Sequence, residues 1–184
     1  MSLSLFLLGT ALLSQSFYME AKAQLAQILI AYSWQVGKDQ DKDESPPPKP
    51  WWWADTRATI RLEVPRLQRT VFVMQDDSSE SLAFGPGHLP SSAALDEDGH
   101  VMIAGHRDSH FAFLQNLQVG DELRAEDYRA HEKRYRVTDM RVIDSQQESL
   151  ELLNDDLLTL ITCYPFDDLV PGGPLRMLVI ARAF

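Results

Sequence analysis

A mainly β fold, closed or nearly closed into a barrel behind one long N-terminal helix, is the architecture this sequence predicts. Three observations carry that expectation. From Thr59 onward the chain offers seven short runs rich in β-branched and apolar residues, separated by Gly-, Pro- and Asp-rich stretches. The only long helical period lies before Gly37. The length of 184 residues suits one hydrophobic core with a short appendage rather than two full cores. Seven or eight short strands with few helices favour closure, because closing a sheet removes its exposed edges.

The elements follow in order. Leu3 to Met19 is an uncharged stretch of 17 residues, about 25 Å as a helix and near the lower limit for crossing a bilayer. Leu25, Ile28, Leu29, Tyr32 and Val36 continue the helical spacing, so residues 1–36 read as one long helix. Three readings of it compete. As a membrane anchor it has the long uncharged run in its favour, but Lys22, Lys38, Lys42 and Lys49 all follow and no Lys or Arg precedes, opposite to the usual bias for an exported domain. As a signal peptide it has Ala21-Lys22-Ala23 for cleavage but no basic start. As a helix packed on the following domain it is unusually poor in charge. The anchor is the expectation.

Residues 37–52 are charged and then proline-rich, with four prolines between Ser45 and Trp51, which is linker composition. Trp51-Trp52-Trp53 marks the change to the domain of residues 53–184; such a cluster more often docks on its own domain than on a membrane or ligand. Expected strands are Thr59–Glu63, Thr70–Met74, Val101–Ala104, Glu122–Ala125, Arg134–Asp144, Leu157–Thr162 and Leu175–Ala183, with short helices at Ser109–Leu117 and Gln147–Leu153.

Charge removes one class of function. With 17 Lys and Arg against 27 Asp and Glu the net charge is −10, whereas nucleic-acid binding needs clustered cations. The single cysteine, Cys163, excludes an intrachain disulfide framework and a Cys-rich zinc site. By count alone it reads as a small buried hydrophobe. By place it reads differently, for it ends the run Leu157–Thr162, where a strand meets a loop and active sites are commonly grafted. A thiol with a pKa near ~8.5 needs a neighbouring imidazole or cation to act as a nucleophile. His106 follows the apolar strand Val101–Ala104 and Gly105, and so also sits at a strand end. Gly105 permits a close backbone approach. Arg176 opens the last strand, 13 residues beyond Cys163, and a strand–turn–strand excursion of that size returns its guanidinium toward the thiol. His110, four residues after His106, has zinc-like spacing, but the sequence has no Cys pair and no HExxH, so no metal and no cofactor is expected. His88, His100 and His131 read as solvated or locally hydrogen-bonded, and Asp167 and Asp168 as loop carboxylates.

Taken together, Thr159–Cys163 (TLITC), Gly105–Asp108 (GHRD) and Pro174–Arg176 (PLR) closely resemble the sortases, the cysteine transpeptidases of bacterial surfaces. The likeness runs from about Trp53 to Phe184 and includes LEVP, GPGHLP and the stretch Phe113–Asp121. The N-terminal helix, acidic linker and GHRD–TCYPFD phrasing are most similar to the marine proteobacterial type. The resemblance implies an eight-stranded sortase barrel in which Cys163 matches the nucleophile, His106 the general acid/base and Arg176 the oxyanion- or substrate-stabilising arginine. It also implies a substrate groove lined by Thr162, Ala104 and Gly105. The implied partners are an exported protein with a C-terminal LPxTG-like sorting signal, an amine acceptor such as peptidoglycan or protein, and the membrane through the first helix. The implied place is the periplasmic side of the inner membrane. Asp108 is a candidate orienter of His106. Two other readings stay open: a cysteine hydrolase with water as acceptor, and a non-catalytic β-barrel binding module.

Overall fold

The computed structural model describes residues 2–39, 47–150, 152–153, 155–168 and 172–184. Among these residues eight strands close into a barrel: β1 Ala58–Val64, β2 Arg69–Met74, β3 Gly87–His88, β4 His100–Ala104, β5 Glu122–Asp127, β6 Glu132–Asp144, β7 Leu157–Cys163 and β8 Leu175–Ala183. Each of the seven expected strands is present with its ends moved by two residues at most. The added one, β3, is two residues long and too short to show a period in sequence.

The order around the barrel is β1-β2-β3-β4-β7-β8-β6-β5, and β5 closes on β1. Most neighbours are antiparallel, but β4 runs parallel to β7 from His100 beside Leu157 to Ala104 beside Ile161. That pairing joins strands far apart in sequence. Alternation along the strands fills the interior: Ile60, Leu62, Ile103, Leu123, Tyr135 and Leu160 lie in one buried cluster. Gly120 turns the chain into β5 at φ 98°, a conformation that favours glycine.

Two helical expectations differ. Within Ser109–Leu117 only Ala112–Asn116 is helical, as a short 3₁₀ turn. The helix expected at Gln147–Leu153 is absent: Gln147 lies in a turn and the described residues that follow are irregular, with 151 outside the described residues. Asp144 explains the start of this, since its carboxylate accepts hydrogen bonds from the Gln146 backbone and the Gln147 side chain, favouring a turn over a helix. A four-residue helix, Ser79–Leu82, was not expected; Ser78 caps it by accepting the Ser81 N–H.

The first helix, α1, runs Ser2–Asp39. Its last third packs on the barrel through Ala26, Ile30, Ser33 and Trp34, and Lys38 reaches Glu126. Ile30 and Trp34 share a cluster with Ala58, Met74, Trp51, Phe72 and Phe84. Its other face leaves Tyr18, Leu25, Ile28 and Tyr32 exposed. Among the described residues no helix is long and apolar enough to cross a membrane. Residues 40–46 of the expected linker lie outside the described residues, whereas Pro47 and Pro50 are buried. Of the three tryptophans, Trp51 docks on the domain against Phe84, while Trp52 and Trp53 are exposed and pack edge-on to each other.

Candidate active site

Alternation decides which way Cys163 points. Leu158 and Leu160 face the core, so Thr159, Ile161 and Cys163 face outward. On β8, Val179 and Ala181 face the core, so Arg176, Leu178 and Ile180 face outward. Cys163 and Arg176 are direct partners across β7 and β8, a relation that holds side-chain bases about 5 Å apart on one face. The Arg176 Nη1 donates to the carbonyls of Gly173 at 2.6 Å and Leu175 at 2.8 Å, fixing the guanidinium on the connection ahead of β8.

His106 arrives from the other side. Past the last β4–β7 pair, the Gly105 N–H donates to the Ile161 carbonyl at 3.0 Å, and the Thr162 hydroxyl donates to the Gly105 carbonyl at 2.7 Å. His106 is the next residue, exposed, leaving the sheet beside the strand that ends in Cys163. Gly105 is required by a close approach: a Cβ there would sit 2.7 Å from the Phe111 ring. Phe111 in turn donates its N–H to the His106 carbonyl at 2.9 Å.

The remaining expected groove residues fall differently. Ala104 is half-buried and lies against the outer apolar cluster. Thr162 is 2% exposed, on the opposite face of β7 from Cys163, with its hydroxyl committed to Gly105. Gly105 contributes backbone.

Arg107 is a residue that sequence reasoning passed over. It is buried, and its Nη2 donates to the Asp168 carbonyl at 2.6 Å, tying the loop after His106 to the loop after Cys163. Only its place beside His106 marked it, since a single Arg between polar neighbours has no periodic signal. Asp167 is exposed, and Asp168 is half-buried at that tie. Asp108 is exposed, and its charge acts on His110. His110 is half-buried; burial lowers its pKa, a charge on His106 lowers it further, and a hydrogen bond to the Ala83 backbone opposes both. His88 and His131 are locally bonded, to Ala93 and to Asp127. His100 corrects the reading as a solvated or locally hydrogen-bonded histidine: it opens β4, is buried, and pairs with the distant Thr159 hydroxyl at 2.7 Å. Burial lowers its pKa.

The outer face that bears Cys163 and Arg176 is apolar. Met102, Ile143, Ile161 and Leu178 form a buried cluster there, flanked by Leu89, Ala104 and Ile180. Beyond it lies a cavity of about 160 Å³ lined by His100, Thr159, Arg141, Glu148, Leu150 and Leu153, among others. Thr159 is four residues from Cys163 on the same face, so floor and cavity together extend ~13 Å from the thiol, the length of about four extended residues.

Asp96, Asp127 and His131 bring potential metal ligands within 4.8 Å of one another. Existing contacts account for the group: Asp127 accepts from the backbone and ring of His131, and Asp96 pairs with Arg129.

Comparison with known proteins identifies the family and the fold. The chain is 29% identical over 123 residues to Sortase D of Bacillus subtilis, covering 66% of this chain and 61% of that relative, less than two thirds of its length. Its fold is similar to the Clostridium perfringens Sortase D5 transpeptidase, with a TM-score of 0.69 at 17% identity over 88% of this chain and 99% of that one. It is also similar to Listeria monocytogenes sortase A, with a TM-score of 0.60 at 20% identity over 69% and 87%. With the Sortase domain pattern matching residues 62–184, a span that holds His106, Cys163 and Arg176, this chain belongs to the sortase family.

Proposed function

We propose that this chain is a cysteine transpeptidase of the cell envelope. It cleaves an LPxTG-like sorting signal near the C-terminus of an exported protein and passes the protein to an amine acceptor through a thioester on Cys163. One observation carries the reading: Cys163 and Arg176 are cross-strand partners on an outward, apolar face, beside the segment that bears His106.

The chemistry follows from the residue types. The Cys163 thiolate attacks the carbonyl of the Thr–Gly bond, and Arg176 with backbone amides stabilises the oxyanion. His106 protonates the leaving amine as the C–N bond breaks, which leaves the acyl group on Sγ. An incoming amine gives its proton to His106, attacks the thioester and expels the thiolate. The apolar floor suits the leucine and proline of such a signal, and its length suits a peptide of that size. Thr162 supports the site by holding Gly105, and with it His106, against β7.

Residues 1–36 are the proposed tether, 37–52 the linker and 53–184 the catalytic unit. The uncharged run Leu3–Met19 supports a single-pass inner-membrane anchor with the barrel in the periplasm. The GHRD and TCYPFD phrasing supports the proteobacterial type.

Intact-mass measurement on wild type and Cys163→Ala, incubated with an LPETG peptide, tests the reading. Wild type gains the mass of the peptide up to threonine, and Cys163→Ala gains nothing. Added amine then yields a ligated product. Cleaved peptide without ligation under every amine tried selects the hydrolase, and equal unmodified masses with no cleavage overturn the thioester mechanism.

A further inference from the structure

His100 stands apart from the catalytic residues, yet both of its ring nitrogens are committed around the cavity at the far end of the Cys163 face. It opens β4 with its side chain on the outer face, in line with Met102 and Ala104, since Val101 and Ile103 face the core. Its Nε2 pairs with the Thr159 hydroxyl at 2.7 Å, and its Nδ1 accepts the Leu153 N–H at 3.4 Å. A backbone N–H can only donate, so Nδ1 carries a lone pair and the ring proton sits on Nε2. The histidine is therefore neutral in this arrangement. Leu153 belongs to the connection between β6 and β7. Glu148, Ser149, Leu150 and Leu153 of that connection form one wall of the cavity, and Thr159, Leu178 and Ile180 form its sheet side. At one end the connection is bonded to Asp144 through Gln147 and Glu148. At the other, Asp155 and Asp156 are held by Arg182, Gly99 and Lys133. Between these anchorages, among the described residues, the bond from Leu153 to His100 is the only hydrogen bond that joins the wall to the sheet.

We propose that His100 is a positioning residue for the sorting signal: as the neutral imidazole it latches the Leu153 wall to the sheet and so shapes the far end of the substrate face, and a proton on Nδ1 undoes the latch. The inference rests on the reading of that face as the site of the signal, and His100 touches no reacting atom. Protonation turns Nδ1 into a donor that confronts the Leu153 N–H, while Nε2 keeps its bond to Thr159. One contact is lost and the rest of the ring's anchorage stays, so the wall is released locally while the barrel holds. Charges of both signs surround the ring. Arg141 across the cavity, Lys133 and Arg182 oppose a proton there, whereas Glu148, Asp98, Asp155 and Asp156 favour one. Burial favours the neutral ring, so the latch is closed at neutral pH and opens in acid. Because the cavity lies about four extended residues from the thiol, its loosening affects binding more than chemistry.

The test uses the full chain with His100→Phe, which fills the space without either nitrogen, and His100→Asn, whose amide oxygen takes the place of Nδ1 and does not titrate. Two quantities are read at pH 7.5 and pH 5. One is kcat and KM for cleavage of a fluorogenic LPETG peptide. The other is amide hydrogen exchange of residues 149–153, corrected for its intrinsic dependence on pH, which needs no peptide. His100→Phe is expected to raise KM about fivefold at pH 7.5 with kcat within about twofold, because one hydrogen bond that shapes the binding face is gone. Exchange of the segment should quicken about tenfold. His100→Asn should bring both quantities back to within about twofold of wild type. Lowering the pH should raise the wild-type KM about fivefold more than that of His100→Asn, since any effect of His106 is common to both. Wild-type KM in His100→Phe, or the same change of KM with pH in wild type and His100→Asn, overturns the inference. Should no peptide acylate wild type, the transpeptidase reading falls separately. Exchange then decides, as it does if either variant fails to fold: wild-type protection of 149–153 that is lost in acid upholds the latch, and protection that does not change with pH overturns it.

Discussion

Strands β1 and β7 are each seven residues long and each pairs on both sides, yet they are buried differently. In β1, buried Ala58, Ile60, Leu62 and Val64 alternate with half-exposed Thr59, Arg61 and Glu63, and the outward Arg61 pairs with Glu126 at 3.1 Å. In β7 every residue from Leu157 to Thr162 is buried, and only Cys163 is partly open. Both inner faces serve the same core. The difference lies outside: β1 shows charged side chains to water, whereas β7 turns Ile161 into an apolar cluster and Thr159 into the cavity beside it. A strand buried on both faces in an antiparallel-rich barrel marks the wall whose outer side is itself covered.

The contrast predicts separable losses. Leu160→Ala removes an inward side chain with no exposed surface and should lower unfolding free energy by about 2–5 kcal/mol in urea titration. Ile161→Ala, one residue along and facing outward, should lower stability less but reduce kcat/KM for the LPETG peptide at least tenfold. Equal stability losses with full activity in Ile161→Ala would erase the distinction between the faces. Next in size is Thr162→Val, which keeps shape but removes the bond to Gly105. A loss of about 1 kcal/mol, with a larger fall in kcat than in 1/KM, is expected from combined denaturation and kinetics.

Acid should act on the β7 wall through His100. Burial lowers its pKa in the fold, so below the ordinary histidine value the unfolded chain takes up the proton first and stability is lost as pH falls. The His100 contribution is fully present above about pH 6.5. Thermal melts from pH 7.5 to 5 should show a decline that His100→Gln makes shallower; an unchanged slope would remove His100 as its source. The smallest effect belongs to the solvated side. Lys38→Ala breaks a partly exposed pair with Glu126 near β1 and should change stability by no more than about 1 kcal/mol, less at high salt.

Much of this was legible in the residues themselves. Runs such as Glu122–Ala125 and Leu175–Ala183 announced strands because alternation and β-branching survive in sequence. Cys163 stood out by its place at a strand end. Other features left no local trace. Gly87–His88 is a strand only because Met74 and Ala104 flank it. Gln147–Leu153 had helix-forming residues, but the Asp144 side chain captured the backbone first. His100 read as solvated or locally bonded because its partner, Thr159, is 59 positions away.

By itself the sequence determined the class of fold and the course of the seven longer strands, since period and composition are local properties of a chain. Tertiary structure alone decided that β4 lies parallel beside β7, which brings Gly105 to Thr162 across 57 residues. It also decided that Cys163 faces Arg176 and that α1 packs on the barrel through Ile30 and Trp34. The physical reason is common to all of these. Side-chain periodicity specifies which surface leaves water, but barrel closure and the packing of α1 choose the neighbour against which it is buried.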